Sequence, residues 1–384
     1  MKNKFSYGLV IFIAFICGGL TMHYFSSNNS HLVEESFNNN TNIVNNEEVY
    51  KDYNSLNNSV SSDINVDNTN KLSIAINNVY DATVMINNYK NIKLSNTGSG
   101  FIYKVDDNYG YIMTNHHVIN NSDKITVLLT TDQEVEAKLL GSDQYLDLAV
   151  LRIDKKFVKK VTNIGKNSLC KLGDEVFTIG SPLGYEYRGT VTNGIISGLN
   201  RLVEVSVSGN GDDWVMEVIQ TNTAVNPGNS GGALFNSNGE VIGVISLKLV
   251  ENSVEGMGFA IPIEDAMSHI EKLEKGVAIE RPLLGIGMIN VQSKSILKSY
   301  YNIELDENIS SGVVVIEISE GTGASMSSLE KGDVITKIEG ENVNNLAYLK
   351  YLLYKHNIGD TIELTYYRDG VYNTTKVTLI KNEQ

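Results

Sequence analysis

The strongest chemical signal in the chain is a serine enclosed by glycines between two apolar runs. Residues 226–232 read NPGNSGG, with Ser230 as the only hydroxyl residue. Glycine permits the tight backbone geometry that exposes a hydroxyl and directs main-chain N–H groups at a developing oxyanion. The pattern therefore favours a nucleophile at Ser230. A plain Gly-Asn hairpin turn is the alternative, because short motifs also arise by chance.

A serine hydroxyl needs a base to take its proton and a carboxylate to orient that base. Residues 111–119, YIMTNHHVI, form a strand-like run that ends in a polar turn with two histidines. Residues 146–153, LDLAVLRI, place Asp147 at the head of an apolar strand. The order His, Asp, Ser is that of the chymotrypsin-type double barrel and not that of subtilisins or α/β-hydrolases. Together the three segments predict a triad.

These segments resemble those of the HtrA (DegP/DegS-like) serine proteases, and the resemblance covers roughly residues 72–381. The motifs that carry it occur in the family's order: TGSGFI at 97–102, TNHHV at 114–118, DLAV at 147–150, NPGNSGGAL at 226–234 and GFAIP at 258–262. The resemblance implies a mostly β fold, with a chymotrypsin-like double β-barrel protease domain followed by an α+β PDZ domain. The frequent glycines between short β-rich segments are also typical of barrels rather than of βαβ units.

Two histidines and two aspartates compete for the roles of base and acid. The family motif Thr-Asn-x-His-Val implies that His117 is the base and that His116 fills the variable position. Asp147 matches the family's triad position, whereas Asp143 is expected in a turn. The backbone of the nucleophile turn is expected to form the oxyanion hole. The residues assigned to it are Gly228, Asn229 and Ser230.

The base of the primary substrate pocket should lie six residues before the nucleophile, at Ala224. No acid stands there to pair with Lys or Arg, so we expect a small or medium aliphatic side chain in the pocket. The opposite wall is expected from residues 245–248, with Ser246 and Leu247 as the lining residues.

The composition argues against several classes of function. The formal net charge of -14 over 384 residues makes nucleic acid an improbable partner. Cys17 and Cys170 are the only cysteines, so no disulfide framework supports the fold. No metal-ligand cluster, phosphate loop or dinucleotide fingerprint is found, so no metal and no cofactor are expected.

The N-terminus predicts a membrane address. Lys2 and Lys4 precede an uncharged apolar run over residues 7–25, which is just long enough to span a bilayer. We expect residues 1–25 to form a single-pass signal anchor, with a cytoplasmic N-terminus and the remainder on the extracytoplasmic side of a bacterial cell. A cleaved signal peptide or a lipoprotein signal at Cys17 are the alternatives. The Asn- and Ser-rich residues 26–70 are predicted to be a disordered linker.

The rest of the chain is divided into a protease domain at 71–277 and a PDZ domain at 281–381. A short helix over 72–80 is expected to lead into the first strand, and a helix over 263–273 to close the protease domain. The PDZ domain should bind the hydrophobic C-terminus of a peptide as an added strand. The residues assigned to that site are Leu283, Leu284, Gly285 and Ile286. A PDZ fold that serves only as a spacer is the alternative.

Regulation and assembly follow from the resemblance alone. Residues 194–201 resemble the start of a sensor loop with Arg201 at a relay position, although Arg201 would equally suit a solvated loop cation. The family also implies a homotrimer or a higher multiple. The expected function is a membrane-anchored serine endopeptidase that degrades misfolded or damaged exported proteins. The alternative is a chaperone or PDZ peptide-binding protein with secondary or vestigial proteolysis.

Overall fold

A computed structural model describes residues 68–207, 213–249 and 256–381 of the chain. The predicted anchor at 1–25 lies outside the described residues, as does the predicted linker up to residue 67. Helix α1, Asn68–Val79, begins inside the range that was predicted to be linker. None of the helices in the described part has the length and apolar character needed to cross a membrane.

The first six strands close into a barrel in the order β1-β2-β3-β6-β5-β4. Helix α1 and a 3₁₀ turn, Tyr80–Ala82, lead into it as predicted. Its fully buried side chains include Ile86, Ile112 and Leu151, one from each of three strands. The one-turn helix α2, His116–Ile119, follows β3. The strands are β1 Thr83–Lys90, β2 Lys93–Val105, β3 Tyr109–Thr114, β4 Lys124–Leu128, β5 Glu134–Asp143 and β6 Leu148–Asp154.

The next seven strands form one sheet in the order β11-β8-β9-β10-β13-β12-β7. The pairing of β11 with β12 closes six of them into a second barrel, and β7 pairs with β12 outside that ring. Phe177 and Phe235 stack in its core with ring centroids 5.0 Å apart. The predicted closing helix is two short helices, α3 Ile263–Ser268 and α4 Ile270–Glu274, which meet at His269. The strands are β7 Asn163–Ile164, β8 Glu175–Gly180, β9 Thr190–Val205, β10 Trp214–Thr221, β11 Ala233–Asn236, β12 Glu240–Ile245 and β13 Gly258–Pro262. The predicted double β-barrel is confirmed.

The segment predicted as a sensor loop is part of a strand. Residues 194–201 lie within β9, where Arg201 pairs with Val218 of β10. The two glycines of this segment are positions of close approach: a Cβ at Gly194 would lie 2.3 Å from Asn222 Oδ1, and one at Gly198 would lie 2.8 Å from Gln220 Oε1. Glycine in a strand often marks such crowding. Arg201 is therefore an exposed strand residue and not a loop residue.

The C-terminal part has the α+β composition predicted for a PDZ domain. Its main sheet has the order β15-β16-β17-β19-β20, so β15 is an edge strand. Strands β14 and β21 pair separately, and β18 pairs with β17. The elements are β14 Pro282–Leu283, β15 Ile286–Asn290, α5 Lys294–Tyr301, β16 Val313–Ile318, β17 Val334–Ile338, β18 Glu341–Asn342, α6 Leu346–Leu353, β19 Thr361–Arg368, β20 Val371–Thr378 and β21 Ile380–Lys381.

Helix α6 packs against strand β10 of the second barrel. The contacts are polar along most of the helix and aromatic at its end. They are Asn345 Nδ2 to Glu204 Oε1 (3.0 Å), Lys350 Nζ to the Asp213 carbonyl (3.2 Å), Tyr351 Oη to Glu217 Oε2 (3.0 Å), and the rings of Trp214 and Tyr354 at 5.1 Å. The same helix also contacts β15 and β17 of its own domain.

Candidate active site

The nucleophile turn lies where the two barrels meet. Ser230 is 4% exposed and follows a turn in which the Asn229 N–H donates to the Asn226 carbonyl at 2.9 Å. The Ser230 carbonyl accepts from the N–H of Ser99 in β2 at 2.8 Å. The next residue, Gly231, donates to the carbonyl of Ile245 in β12 at 2.8 Å. The turn is thus held from the first barrel on one side and from the second on the other.

Glycine is required at Gly231 for two separate reasons. Its φ is +84°, in the region that side chains rarely adopt. A Cβ there would also lie 2.2 Å from Thr114 Oγ1 and 2.3 Å from the Ser99 carbonyl. The backbone of the turn therefore approaches the first barrel more closely than any side chain would allow.

His117 and Asp147 form a close pair supplied entirely by the first barrel. The imidazole Nδ1 of His117 lies 2.9 and 2.8 Å from Oδ1 and Oδ2 of Asp147. The His117 backbone N–H donates to Oδ1 of the same carboxylate at 3.0 Å. Helix α2 begins at His116, directly after β3, so the end of this strand fixes the backbone from which the ring projects. This pairing holds Nδ1 against a carboxylate and leaves Nε2 for another partner.

Asp147 is fully buried, with a φ of +51°. A buried carboxylate is costly unless hydrogen bonds replace its water. Besides the two from His117, its Oδ2 accepts from the Ser246 hydroxyl at 2.7 Å. Its backbone carbonyl accepts from Asn115 Nδ2 at 2.8 Å, which holds the unusual backbone conformation in place. Ser246 was expected to line the substrate pocket, but its hydroxyl is directed at Asp147 instead.

The Ser230 hydroxyl accepts from the Leu247 N–H at 3.1 Å. Among the described residues it makes no hydrogen bond to His117. Hydrogen bonds between nucleophile and base are often long in unliganded enzymes and tighten only when substrate binds.

The carbonyl groups of residues 226–228 are all engaged elsewhere in the protein. Their donors are, in order, the Asn229 N–H (2.9 Å), the Leu183 N–H (2.9 Å) and the Ser99 hydroxyl (2.7 Å). Within the described residues, the N–H groups of Gly228 and Ser230 have no protein acceptor. These two donors suit an oxyanion. The Asn229 N–H, included in the prediction, is used by the turn itself.

The two alternative residues have other partners. His116 Nδ1 lies 3.1 Å from the Ser142 hydroxyl, and burial lowers the pKa of its imidazole, which favours the neutral ring. Asp143 accepts from the N–H groups of Tyr145 and Leu146, so it does lie in a turn, but it also pairs with Arg281. The structure therefore pairs His117, and not His116, with Asp147.

Both walls expected for the primary pocket are tied to the nucleophile turn. The Ala224 carbonyl accepts from Asn229 Nδ2 at 3.3 Å and from the Thr192 hydroxyl at 3.0 Å. Leu247 is half-buried and bonds Ser230 directly. Ala224 and Leu247 are thus both held next to the nucleophile, as walls of its pocket must be.

The predicted peptide site of the PDZ domain lies at the start of the edge strand β15. Gly285 has a φ of +81°, and a Cβ there would lie 2.3 Å from the Thr322 side chain. Leu284 is only 2% exposed and packs into the domain core, whereas Leu283 and Ile286 are half-buried. The Leu284 side chain thus supports this loop from the domain core. The loop backbone and strand β15 remain available for a ligand.

Sequence reasoning missed two residues that hold the site together. Asn115 supports the Asp147 backbone, and Ser99 joins the barrels by accepting from the Ser181 N–H (3.0 Å) while donating to the Gly228 carbonyl. Both lie in motifs that carry the family resemblance. The signal was present in the sequence, but only the fold shows what these side chains bond.

Comparison with known proteins gives the same two-part organisation. Residues 98–244 match the trypsin-like peptidase domain, and residues 282–379 match the PDZ domain. The chain is 42% identical over 296 residues to "Serine protease Do-like HtrA" of Lactococcus lactis subsp. lactis (strain IL1403), across 76% of this chain and 72% of that protein. It is 40% identical over 290 residues to "Serine protease Do-like HtrB" of Bacillus subtilis (strain 168), across 74% of this chain and 62% of that protein.

A solved structure agrees with these relatives. "HtrA-type protease AlgW with tripeptide" superposes with a TM-score of 0.60 at 28% sequence identity, covering 82% of this chain and 98% of that chain.

Gly231→Ala should lower the free energy of unfolding of the protease domain by about 2–5 kcal/mol. The left-handed backbone contributes about 1–2 kcal/mol of that loss, and the clash with the first barrel about 1–3 kcal/mol. Gly173→Ala is the matched control, because Gly173 has a φ of +89° but nothing lies within 4 Å of its Cβ. Urea unfolding followed by the fluorescence of Trp214, the single tryptophan, measures both. Equal losses in the two variants would contradict the close approach.

Proposed function

The chain belongs to the HtrA family of serine proteases, and from this premise we propose that it is a membrane-anchored endopeptidase that degrades misfolded or damaged exported proteins. The family supports a serine endopeptidase engaged in protein quality control. The observation that carries the proposal is the His117–Asp147 pair facing the junction at which the second barrel presents Ser230.

The proposed chemistry is acyl transfer through a triad. Ser230 Oγ attacks the carbonyl carbon of a peptide bond and passes its proton to His117 Nε2. The tetrahedral oxyanion accepts hydrogen bonds from the N–H groups of Gly228 and Ser230. His117 then gives the proton to the leaving amine, and water repeats the sequence to release the acid and restore Ser230. Asp147 holds Nδ1 protonated and stabilises the imidazolium that forms.

The proposed substrates are extended segments of unfolded proteins. The pocket beside Ala224 is expected to take a small or medium aliphatic side chain before the cleaved bond, because Ala224 offers no negative charge to Lys or Arg. A folded substrate would not present its backbone to a nucleophile that is itself only 4% exposed.

The PDZ domain is proposed to bind the hydrophobic C-terminus of a peptide and thereby to control activity. Strand β15 has an unpaired edge, which is the feature that strand addition requires. Helix α6 contacts β15 and also β10 of the second barrel, which gives a bound peptide a route to the protease domain. The related protease AlgW was solved with a tripeptide, which supports peptide binding in the family.

Ser230→Ala should abolish casein cleavage, with a rate loss on the order of 10⁶, and leave the urea midpoint nearly unchanged. Ser268→Ala, which removes an exposed hydroxyl bonded only to the Asp265 carbonyl, is the matched control and should cleave like wild type. Mass spectrometry of the wild-type products identifies the residue before each cleaved bond. Retained cleavage by Ser230→Ala would overturn the assignment of the nucleophile, and absence of cleavage by the wild type would leave the chaperone or peptide-binding alternative. A strong preference for Arg would overturn the pocket assignment.

A peptide with a free hydrophobic C-terminus should stimulate cleavage about 5- to 150-fold at saturation, the range that a coupling of about 1–3 kcal/mol gives. The same peptide with a C-terminal amide is the control, because it lacks the carboxylate that the loop N–H groups would bind. Fluorescence anisotropy measures binding, and hydrolysis of a fluorogenic substrate in the same sample measures activity. Binding without stimulation would show that the PDZ domain binds the peptide but does not control cleavage. Equal binding of the amide would contradict carboxylate recognition.

The full-length chain should remain in the membrane pellet after alkaline carbonate extraction and be released by detergent, because residues 7–25 supply an uncharged span. A chain starting at residue 68 is the control and should be soluble. Carbonate release of the full-length chain would contradict the anchor.

Light scattering on the detergent extract then tests the homotrimer that the family implies, since a monomer mass would contradict it.

A further inference from the structure

Arg281 lies at the junction between the protease and PDZ domains, just before β14, yet its side chain turns back to the loop that carries Asp147. Its Nη1 and Nη2 donate to Oδ2 and Oδ1 of Asp143 at 2.9 and 2.8 Å. The two side chains are only 15% and 9% exposed. Such a two-pronged bond to a carboxylate fixes orientation as well as distance.

The carboxylate that Arg281 binds also organises the loop. Asp143 Oδ1 accepts from the N–H groups of Tyr145 and Leu146 at 2.9 and 2.8 Å. Asp147 follows Leu146 directly, with its own backbone in the left-handed region. The position of the Asp147 carboxylate is therefore set, through one turn of chain, by the side chain of Asp143.

Aromatic rings from three elements surround the Arg281 guanidinium. It lies 4.6 Å from the ring centroid of Tyr145, 5.6 Å from that of Trp214 in β10, and 5.9 Å from that of Tyr354 at the end of α6. These rings also contact one another, with Tyr145 and Trp214 at 4.6 Å. A planar cation suits this site because it can stack on rings while bonding a carboxylate in its own plane.

We propose that Arg281 is a positioning residue for the acid of the triad: it holds the 143–147 loop, through Asp143, in the one arrangement that aims Asp147 at His117. The inference rests on the triad proposed above. Without Arg281, Asp143 would be a buried anion with no cation, and the loop would have to open to hydrate it. An Asp147 displaced by an ångström no longer aligns the imidazole, although the substrate pocket on the second barrel stays intact.

The same guanidinium connects the PDZ domain to the acid loop. Tyr354 ends the helix that contacts β15, and Trp214 opens the strand against which that helix packs. Arg281 thus contacts one ring from the loop, one from the second barrel and one from the PDZ domain. A movement of the end of α6 would change what surrounds the cation that holds the loop.

The test compares Arg281→Ala with Arg368→Ala in the purified full-length chain in detergent. Arg368 is a close match: its Nε and Nη2 bind Asp333, which is 1% exposed and also accepts a turn N–H, that of Glu330. The readouts are the rate of fluorophosphonate labelling per folded molecule, kcat and KM for a peptide substrate, and the urea midpoints. Ser230→Ala is the labelling blank.

Both variants are expected to lose stability, but only Arg281→Ala should lose labelling rate and kcat, by roughly 10- to 100-fold, the cost of a small misplacement in an active site. KM should stay within about two-fold, because the hydrogen bonds given for Ala224 and Leu247 join them to Thr192, Asn229 and Ser230 and not to the 143–147 loop. A folded Arg281→Ala chain that keeps the wild-type kcat, or an equal loss of kcat in Arg368→Ala, would overturn the proposal. A wild-type chain that is not labelled would instead overturn the triad, and the role of Arg281 with it.

Two further variants keep the test decisive if Arg281→Ala does not fold. Arg281→Lys keeps the positive charge but loses the paired hydrogen bonds that the guanidinium makes to the Asp143 carboxylate. Its kcat should therefore lie between those of the wild type and the alanine variant. Asp143→Asn should lower kcat to a similar extent. Combining it with Arg281→Lys should cost no more than the slower single variant, because both act through one bond. Losses that multiply would show that Arg281 does not act through Asp143.

Discussion

The proposed active site depends on how the two barrels are joined, because neither barrel holds all three residues of the proposed triad. His117 and Asp147 come from the first barrel, and Ser230 comes from the second. The joint is made by Ser99, whose N–H donates to the Ser230 carbonyl and whose hydroxyl bonds the backbone at Gly228 and Ser181. One of these hydrogen bonds joins two backbones and the other two join the backbone to a short side chain, so the barrels have little freedom to shift relative to each other. Glycine at 231 lets the backbones approach closely enough for them to form.

The proposed site also requires that the negative charge of Asp147 be shielded from water. Asp147 is fully buried, and among the residues that the structure describes its charge is stabilised by fixed donors: the His117 ring and backbone, and the Ser246 hydroxyl. Donors arranged before the reaction need not reorient as positive charge develops on the imidazole. In the proposed mechanism this arrangement does not strengthen substrate binding but lowers the free energy of the transition state. The left-handed backbone of Asp147 and its buried charge both lower the stability of the fold, so folding alone would not favour them.

The parts of the protein predicted from sequence are those that local chemistry dictates. The double barrel and the PDZ domain follow from glycine spacing, apolar alternation and the family motifs. The same motifs predicted the pairing of His117 with Asp147, and the role of Ser230 as nucleophile stays a prediction. The errors have a common physical cause. Residues 194–201 were predicted to start a sensor loop because they resemble the family, but they lie in a strand, where glycines at 194 and 198 leave space for the side chains of Asn222 and Gln220. Ser246 was assigned to the pocket because only its position relative to the nucleophile was known, not the direction of its hydroxyl. The pairing of a strand and the direction of a side chain depend on residues distant in sequence, which a local sequence pattern does not show.

Arg281 is the clearest example of a residue whose partner is distant in sequence, because Asp143 lies 138 positions away in the chain. In the sequence it is one cation at a domain boundary, where an exposed charge is the ordinary expectation. The fold buries it among three aromatic rings and gives it a carboxylate that caps the loop before Asp147. A peptide at β15 can change the protease domain only if it binds one arrangement of α6 better than another. The contacts of α6 with β10, and the ring of Tyr354 beside Arg281, are where two such arrangements would differ. Control of the proposed triad would then act on the position of its acid.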